Sequence, residues 1–296
     1  MLVERLLIID GHAYAYRAFY AIRALRSPEG RPTNAIYGFI KMLEKMISSL
    51  RPDFVAVVWD GGLSAERVAL MPHYKAQRPE MPDELRPQFD EIVSYLKAAG
   101  VVSLCGEGIE ADDYIASLAR RAELAGVKVV IASSDKDFMQ LVSPLIGLFN
   151  PADKTEVIWT NAQVREKIGV EPEQVVDWLS LMGDTVDNIH GVPGVGRKTA
   201  TGLLGKFGTL ANLYARLAEV KPERLRLALA AAAEMVRRNV EMVRLRDDLP
   251  CKFLPADYQV QPPEVEKLRD LYRGWGFKGM LASLEEPAPG RQQLLI

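Results

Sequence analysis

Three carboxylates fall within four residues at Glu110-Ala111-Asp112-Asp113. Like charges this close repel unless cations separate them, so the grouping suits a hard divalent ion held by oxygen ligands. Six further acids, Asp10, Asp60, Asp135, Asp137, Asp184 and Asp187, stand where apolar or helical patterns break. Apart from His12 and His190, neither Cys nor His adjoins them, which leaves an all-oxygen shell suited to Mg2+ or Mn2+. Nine carboxylates exceed the needs of one ion. Two cations about 3.5–4 Å apart can activate a water and stabilise a leaving oxygen, the arrangement that hydrolyses phosphodiesters. Taken alone, Glu110 to Asp113 also reads as a solvated helix start, where Asp and Glu are common. No Ser-His-Asp or Cys-His set is legible, and His12 and His73 read as hydrogen-bonded or surface residues.

Such acids need elements that end in one place. Arg5-Leu6-Leu7-Ile8-Ile9-Asp10 is an apolar run closed by an acid and Gly11, the pattern of a buried parallel strand with Asp10 at its C-terminal edge. The runs Phe54 to Asp60 and Val127 to Asp135 repeat the design, with Asp137 two residues beyond. Helical periodicity lies between them, as in 35–50, where Ile36, Phe39, Ile40, Leu43, Ile47 and Leu50 share a face. After Asp113, Ile115, Leu118, Ala119 and Ala122 also recur at helical spacing. The alternation predicts an α/β domain with a central, mainly parallel sheet, whose ligands sit beyond the strand ends at a switch in strand order. Three strands delivering acids to one edge favour a functional cluster over coincidence. An edge hairpin is expected after Asn150-Pro151, and a helix from Pro172 to Met182.

Residues 64–89 break the pattern with several prolines and mixed charge, describing an insertion that stands off the sheet edge. Within it Arg67, Lys75 and Arg78 are placed to grip phosphates and Tyr74 to stack on a base. A plain surface excursion fits the composition equally well. The stretch Gly191-Val192-Pro193-Gly194-Val195-Gly196-Arg197-Lys198-Thr199 nearly imitates a nucleotide P-loop. It fails because Arg197 stands where that motif needs Lys, and a helix precedes it where a strand is required. A helical hairpin whose glycines let backbone N–H groups approach a phosphate, with Arg197 and Lys198 adding charge, is the better reading. A glycine turn between packed helices is the alternative. Asp184 and Asp187 share one side of a turn and either join the other acids or cap a helix.

The remaining bounds come from composition. At 296 residues, 48% hydrophobic and 26% charged, the chain can bury a sizeable core. No apolar run reaches the roughly 18 residues of a membrane span, and the N-terminus lacks a basic signal-peptide start, so a cytoplasmic location is expected. Cys105 and Cys251 alone exclude a disulfide framework and a thiolate zinc site. The net charge of −2 hides an asymmetry: from His190 to Arg244 ten Lys/Arg face four Glu, which suggests a polyanion-facing surface. Pro222 to Arg244 reads as a basic helical layer, Val265 to Tyr272 as an amphipathic helix, and 285–296 as a loose tail.

Seven motifs occur in order: Leu7 to His12, Val58-Trp59-Asp60, Tyr74 to Arg78, Glu110 to Asp113, Asp135-Lys136-Asp137, Gly183 to Asn188, and Gly191 to Ala200. Together they closely resemble the 5′ nuclease family, which comprises the 5′–3′ exonuclease domain of bacterial DNA polymerase I, phage 5′ exonucleases and flap endonucleases. The resemblance runs to about Leu284. It implies a PIN-like nuclease domain over 1–182 with an arch at 64–90. It also implies a helical duplex-binding region over 183–284, with a helix–two-turn–helix at 188–208, and a flexible tail at 285–296. By resemblance the nine acids hold two Mg2+ or Mn2+ ions, directly or through water, and Lys75 and Arg78 act at the scissile phosphate. Gly191, Gly194, Gly196, Arg197, Lys198 and Thr199 bind duplex, where relatives also hold K+; Arg17, Phe19 and Tyr20 contact substrate.

The implied activity is metal-dependent cutting of 5′ flaps and degradation from 5′ DNA ends, in primer removal and repair, by a monomer that works with a DNA polymerase. A PIN-type ribonuclease and a non-catalytic flap-binding protein are the alternatives. The basic region from Gly191 to Arg244 argues against the first, and retention of all nine acids against the second. Two departures stand out. His190 replaces the Pro of many relatives, which is expected to loosen the approach to the duplex motif, and Trp59 replaces Phe, which is expected to alter packing.

Overall fold

The computed structural model describes residues 4–150 and 157–285. The chain opens with β1 (Arg5–Asp10), α1 (Gly11–Ala21), α2 (Asn34–Leu50) and β2 (Phe54–Trp59). A short α3 (Ala65–Leu70) and an irregular stretch lead to α4 (Arg86–Ala98), β3 (Val102–Cys105), α5 (Ala111–Leu124) and β4 (Lys128–Ala132). A 3-10 turn at Lys136–Leu141 precedes β5 (Ile146–Phe149), which pairs antiparallel with β6 (Ile158–Trp159). This is the expected edge hairpin, although 151–156 of its connection lie outside the described residues.

The sheet order is β3-β2-β1-β4-β5-β6, parallel except at β6. β1 is central and buried on both faces, which is why its sequence is a continuous apolar run with no alternation. From β1 the chain winds outward to β2 and β3, then returns to β4 on the other side. The crevice between the ends of β1 and β4 is therefore the topological switch point. Asp10 aligns with Val58 of β2, and Ile9 with Ala132 of β4, so the three strands end level.

After β6 come α6 (Asn161–Ile168), α7 (Val175–Met182) and the ribbon β7 (Gly183–Asp184) with β8 (Ile189–His190). Then follow α8 (Arg197–Phe207), α9 (Leu210–Ala215), α10 (Glu223–Ala231) and α11 (Ala233–Val243). The chain closes with α12 (Pro255–Tyr258), α13 (Val265–Trp275) and α14 (Lys278–Glu285). Helices α5 to α11 share one hydrophobic core with a face of the sheet, through Ile115, Leu118, Leu179, Leu204 and Val236. The other face carries α1, α2 and α4.

α13 and α14 join that second face through Leu268, Tyr272, Trp275 and Phe277. The helical region expected over 183–284 thus divides: its last two helices belong to the sheet layer. The crossing is held at the sheet edge, where Gln261 N–H donates to Gly100 O (2.9 Å) and Glu264 N–H to Ala98 O (2.7 Å). Among the described residues no helix is long and apolar enough to cross a membrane.

Candidate metal centre and nucleic-acid interface

Asp10 ends β1 and caps α1, its Oδ1 accepting from Ala13 N–H (3.0 Å) and its Oδ2 from the Ser133 hydroxyl (2.8 Å). The same hydroxyl accepts from Asp135 N–H (3.1 Å), and Asp135 Oδ1 accepts from Asp137 N–H (2.9 Å). Ser133 therefore ties the end of β1 to the turn after β4, a link sequence reasoning missed. Asp60 follows β2; its N–H donates to His12 Nδ1 (3.1 Å), and its Oδ1 accepts from Gly62 N–H (3.1 Å). Trp59 packs its ring against Gly11, where a methyl group would collide with it, and donates Nε1–H to Ser103 (2.8 Å). The indole N–H makes a part-buried hydrogen bond that a Phe ring at this position has no donor to make.

These acids crowd one another. Burial pushes the Asp10 carboxyl up to about 6, with Asp135 and Asp60 adding to the rise. Burial and the charge of Asp135 likewise push Asp112 and Asp137 well above the usual carboxylate range. Asp137 Oδ1 is buried without a hydrogen-bond partner; Lys136 Nζ stands 4.0 Å away. Oxygens of Asp137, Asp184 and Asp187 lie within 4.8 Å of one another. Oxygen-only donors, an orphaned buried oxygen and carboxyls short of positive charge together fit a divalent cation.

Glu110, the residue before α5, is buried and saturated. Its Oε1 accepts from Ser64 N–H (3.1 Å) and Arg67 Nη1 (3.0 Å), and its Oε2 from Tyr74 OH (3.1 Å) and the Lys75 ammonium. Burial alone would raise its pKa, but Lys75 and Arg67 outweigh that and hold the carboxyl below its usual range. Asp187 Oδ1 accepts from Arg78 Nη2 (2.6 Å), and Asp184 Oδ2 from Lys136 Nζ (2.6 Å). Lys136, sitting between two acids in the sequence, was a second missed participant.

Four expectations differ from the structure. Residues 64–75 do not stand off the sheet: this part of the segment folds down onto the acids, with Arg67, Tyr74 and Lys75 all buried, while 76–84 beyond it are largely exposed. Arg67 grips no phosphate. Its five donors are used internally, on Glu110, twice on Asp113, and on the Met242 and Arg244 carbonyls at the end of α11. Tyr74 is not a stacking platform, since its ring is buried in the core and its OH reaches Glu110 and, at 3.4 Å, Asp187. Asp113, in turn, does not join the metal set. Both its oxygens bond Arg67 (2.7 and 2.8 Å), and Oδ1 also accepts from Arg246 N–H (2.9 Å).

Lys75 sits at φ +55, a left-handed conformation uncommon outside glycine, with its N–H on Asp187 O (3.1 Å). Asn188, at φ +60, bonds His73 O (2.8 Å) and Gln77 (3.2 Å), pinning the segment over the β7–β8 ribbon. Arg78 is half exposed at the rim. Arg17 and Tyr20 lie on the exposed side of α1, and Tyr20 is 66% exposed.

The Gly191–Thr199 turn joins the ribbon to α8. Gly191 is required by packing, because a methyl group there would strike the Met182 carbonyl. Gly194 (φ +80) and Gly196 face open space, and Gly194, Gly196, Arg197 and Lys198 are exposed while Thr199 is half-buried. No side chain caps the N-terminus of α8, so its first N–H groups are available to an anion. Three of the ten cations are paired locally, through Arg216–Glu219, Arg226–Glu223 and Arg237–Glu234, which leaves the net basic excess of the region in place. Arg197 and Lys198 make no ion pair among the described residues, and Arg197 lies 5.9 Å from the Trp178 ring. His190 is paired in the ribbon with Gly183, and its carbonyl accepts from Asn239 Nδ2 (2.8 Å), two contacts that hold the entry to the turn.

Known proteins share this organisation. The family described as 5′-3′ exonuclease, N-terminal resolvase-like domain, matches residues 5–169, and its C-terminal SAM-fold partner matches 170–266. A 5′-3′ exonuclease of Aquifex aeolicus is 37% identical over 284 residues, covering 96% of each chain. DNA polymerase I of Bacillus caldotenax is 38% identical over 99% of this chain, which spans only 34% of the relative's length. The fold matches that of the bacteriophage T5 D15 flap endonuclease solved with DNA and metal ions (TM-score 0.68, 22% identity, 96% of this chain and 100% of that one). It also matches the catalytic core of Rad2 in complex with DNA substrate (TM-score 0.66, 16% identity, 96% and 93%). With consecutive family matches from residue 5 to 266 and a relative covered almost end to end, the chain belongs to the 5′–3′ exonuclease family.

Proposed function

We propose that this chain is a divalent-metal-dependent, structure-selective 5′ nuclease that cuts 5′ flaps and degrades DNA from 5′ ends. The observation that carries the reading is the convergence of Asp10, Asp112, Asp135, Asp137, Asp184 and Asp187 at the switch point of the sheet, with the carboxyls of Asp10, Asp112 and Asp137 raised by burial and by their acidic neighbours. Asp10, Asp60, Asp112 and Asp135 would hold one ion, with Glu110, whose oxygens are filled by protein donors, acting through water, and Asp137, Asp184 and Asp187 would hold the other, with Mg2+ the ion assigned. When bound, the pair supplies an activated water and charge stabilisation at the leaving oxygen.

The chain's own residues perform the remaining work. Lys75, now committed to Glu110, and Arg78, half exposed on Asp187, neutralise the scissile phosphate as it approaches. Arg17 and Tyr20 line the approach from α1. Gly194, Gly196, Arg197, Lys198 and Thr199 grip the duplex backbone through open N–H groups and two free cations, with K+ on the carbonyls of the same turn. Gly191 holds the turn close to α7. The chain acts as a monomer on DNA in the cytoplasm, alongside or fused to a polymerase, as in the relatives named DNA polymerase I.

The test is a labelled 5′-flap duplex incubated with the protein and Mg2+, with the products mapped to the nucleotide. The reading expects cutting at the flap junction, abolished by EDTA and much weaker on the all-RNA equivalent. Absence of cutting in both Mg2+ and Mn2+, or preference for single-stranded RNA, would overturn it.

A further inference from the structure

Lys136 lies between Asp135 and Asp137, and no role has so far been given to it beyond its ion pair. Its ammonium is 2.6 Å from Asp184 Oδ2 and 4.0 Å from Asp137 Oδ1. Both oxygens are open to a cation. Asp184 Oδ1 is already fixed by Val186 N–H (3.0 Å), and Asp137 Oδ1 has no hydrogen bond. The cation therefore covers the faces of Asp137 and Asp184 that a divalent ion would use.

The other two cations at this rim are differently placed. Lys75 is buried to 3% side-chain exposure on Glu110, and Arg78 comes from the overlying segment to the far oxygen of Asp187. Lys136 comes from the acid turn itself, and its side chain is 35% exposed, so its four-carbon stem has an open path to solvent. An ammonium and a divalent ion cannot both sit on the same two oxygens, because like charges at that distance repel strongly in a partly buried site.

We infer that Lys136 is a built-in counter-ion that covers the Asp137–Asp184–Asp187 position in the metal-free protein and withdraws before a divalent ion is held there. Lys136 stabilises the empty cleft, and it makes the two metal positions unequal: the one around Asp10, Asp112 and Asp135 fills first, and the covered one fills weakly. The inference rests on the metal reading proposed above.

The experiment is a Mn2+ titration of the chelator-stripped full chain, following the EPR signal of free Mn2+, with melting temperatures recorded with and without the ion. The parent is expected to bind in two phases. Lys136→Met is expected to tighten the weaker phase roughly ten-fold while leaving the stronger one in place. The same variant should melt lower than the parent without metal and gain more from Mn2+. Lys136→Gln, which keeps a donor for Asp184 without the charge, gives the same readout if the Met variant fails to fold. A weaker phase that is unchanged or loosened in a folded Lys136 variant overturns this inference alone. A parent that binds no Mn2+ overturns it together with the metal reading.

Discussion

On one side of the cleft Asp10, Asp60, Asp112 and Asp135 gather with a single cation in ion-pair range among the described residues, Lys75 at 3.9 Å from Asp112, and burial drives the Asp10 carboxyl up to about 6. On the other side Glu110, Asp113, Asp184 and Asp187 each meet a cation: Lys75, Arg67, Lys136 or Arg78. The sheet accounts for the first group, since strand ends at a switch point bring acids together whatever their mutual repulsion. The cations of the second group come from the segment over the sheet and from Lys136. Glu110 and Asp113, balanced by buried cations, mark where the protein holds its own architecture, whereas the cations on Asp184 and Asp187 are 35% and 42% exposed and can give way to charge supplied from outside, as the unbalanced acids require. Asp113, paired with Arg67 and bonded by Arg246 N–H, is the limiting case of the latter.

The sharpest way to break this contrast is to remove an unbalanced acid. Asp135→Ala is expected to lower flap cleavage on the order of 10³-fold, the equivalent of about 4 kcal/mol, with the fold intact. Single-turnover rates and circular dichroism check this, and near-parental cutting would place Asp135 outside the chemistry. On the balanced side the largest effect falls on stability. Arg67→Met strands two buried carboxylates and two carbonyls and is expected to cost roughly 3–5 kcal/mol in denaturant unfolding. A loss confined to DNA affinity would return Arg67 to the phosphate-gripping role.

The two sides also differ in their response to pH. Asp10 titrates in the folded protein at about 6, above its ordinary 3.8, so its contribution to stability is full below about pH 4 and lost as pH rises through 6. The shift corresponds to about 3 kcal/mol. Glu110, held below its ordinary 4.5, acts in the opposite sense: its contribution is present at neutral pH and lost as pH falls through its lowered folded value. Melting curves in EDTA should therefore decline from about pH 4 to pH 6–7, and Asp10→Asn should remove part of that decline. Mg2+ should remove most of it in the parent, because the ion takes the place of the protons. A parental melting temperature that climbs from pH 5 to 8 without metal would contradict the crowding.

The smallest expected effect lies farthest from the cleft. Lys198→Ala should weaken duplex binding a few-fold and reduce the salt slope by about one, leaving Mn2+ affinity unchanged. An unchanged slope would remove the α8 turn from the DNA interface.

The strands that carry Asp10, Asp60 and Asp135 were legible because a strand buried on both faces must be apolar throughout, which makes the closing acid conspicuous. β3, at the sheet edge and only half-buried, left no such run. The β7–β8 ribbon is two residues a side and has no period to detect. What could not be read was direction. Arg67 and Asp113 carry the same charges inward as they would outward, and their partners lie 43 to 177 residues apart. Tyr74 looked like a stacking ring for the same reason. The return of α13 and α14 to the opposite sheet face was equally hidden, since an amphipathic helix does not say which apolar surface it covers.

The central claim is that the unbalanced acids hold divalent ions at the strand ends. Diffraction from crystals of the full chain soaked in Mn2+, with the ions located by anomalous scattering, tests it most directly. Two peaks are predicted, one against Asp135 and its neighbours Asp10 and Asp112, the other against Asp137, Asp184 and Asp187 with Lys136 withdrawn. No peak at saturating Mn2+, or peaks only away from these carboxylates, would contradict the account.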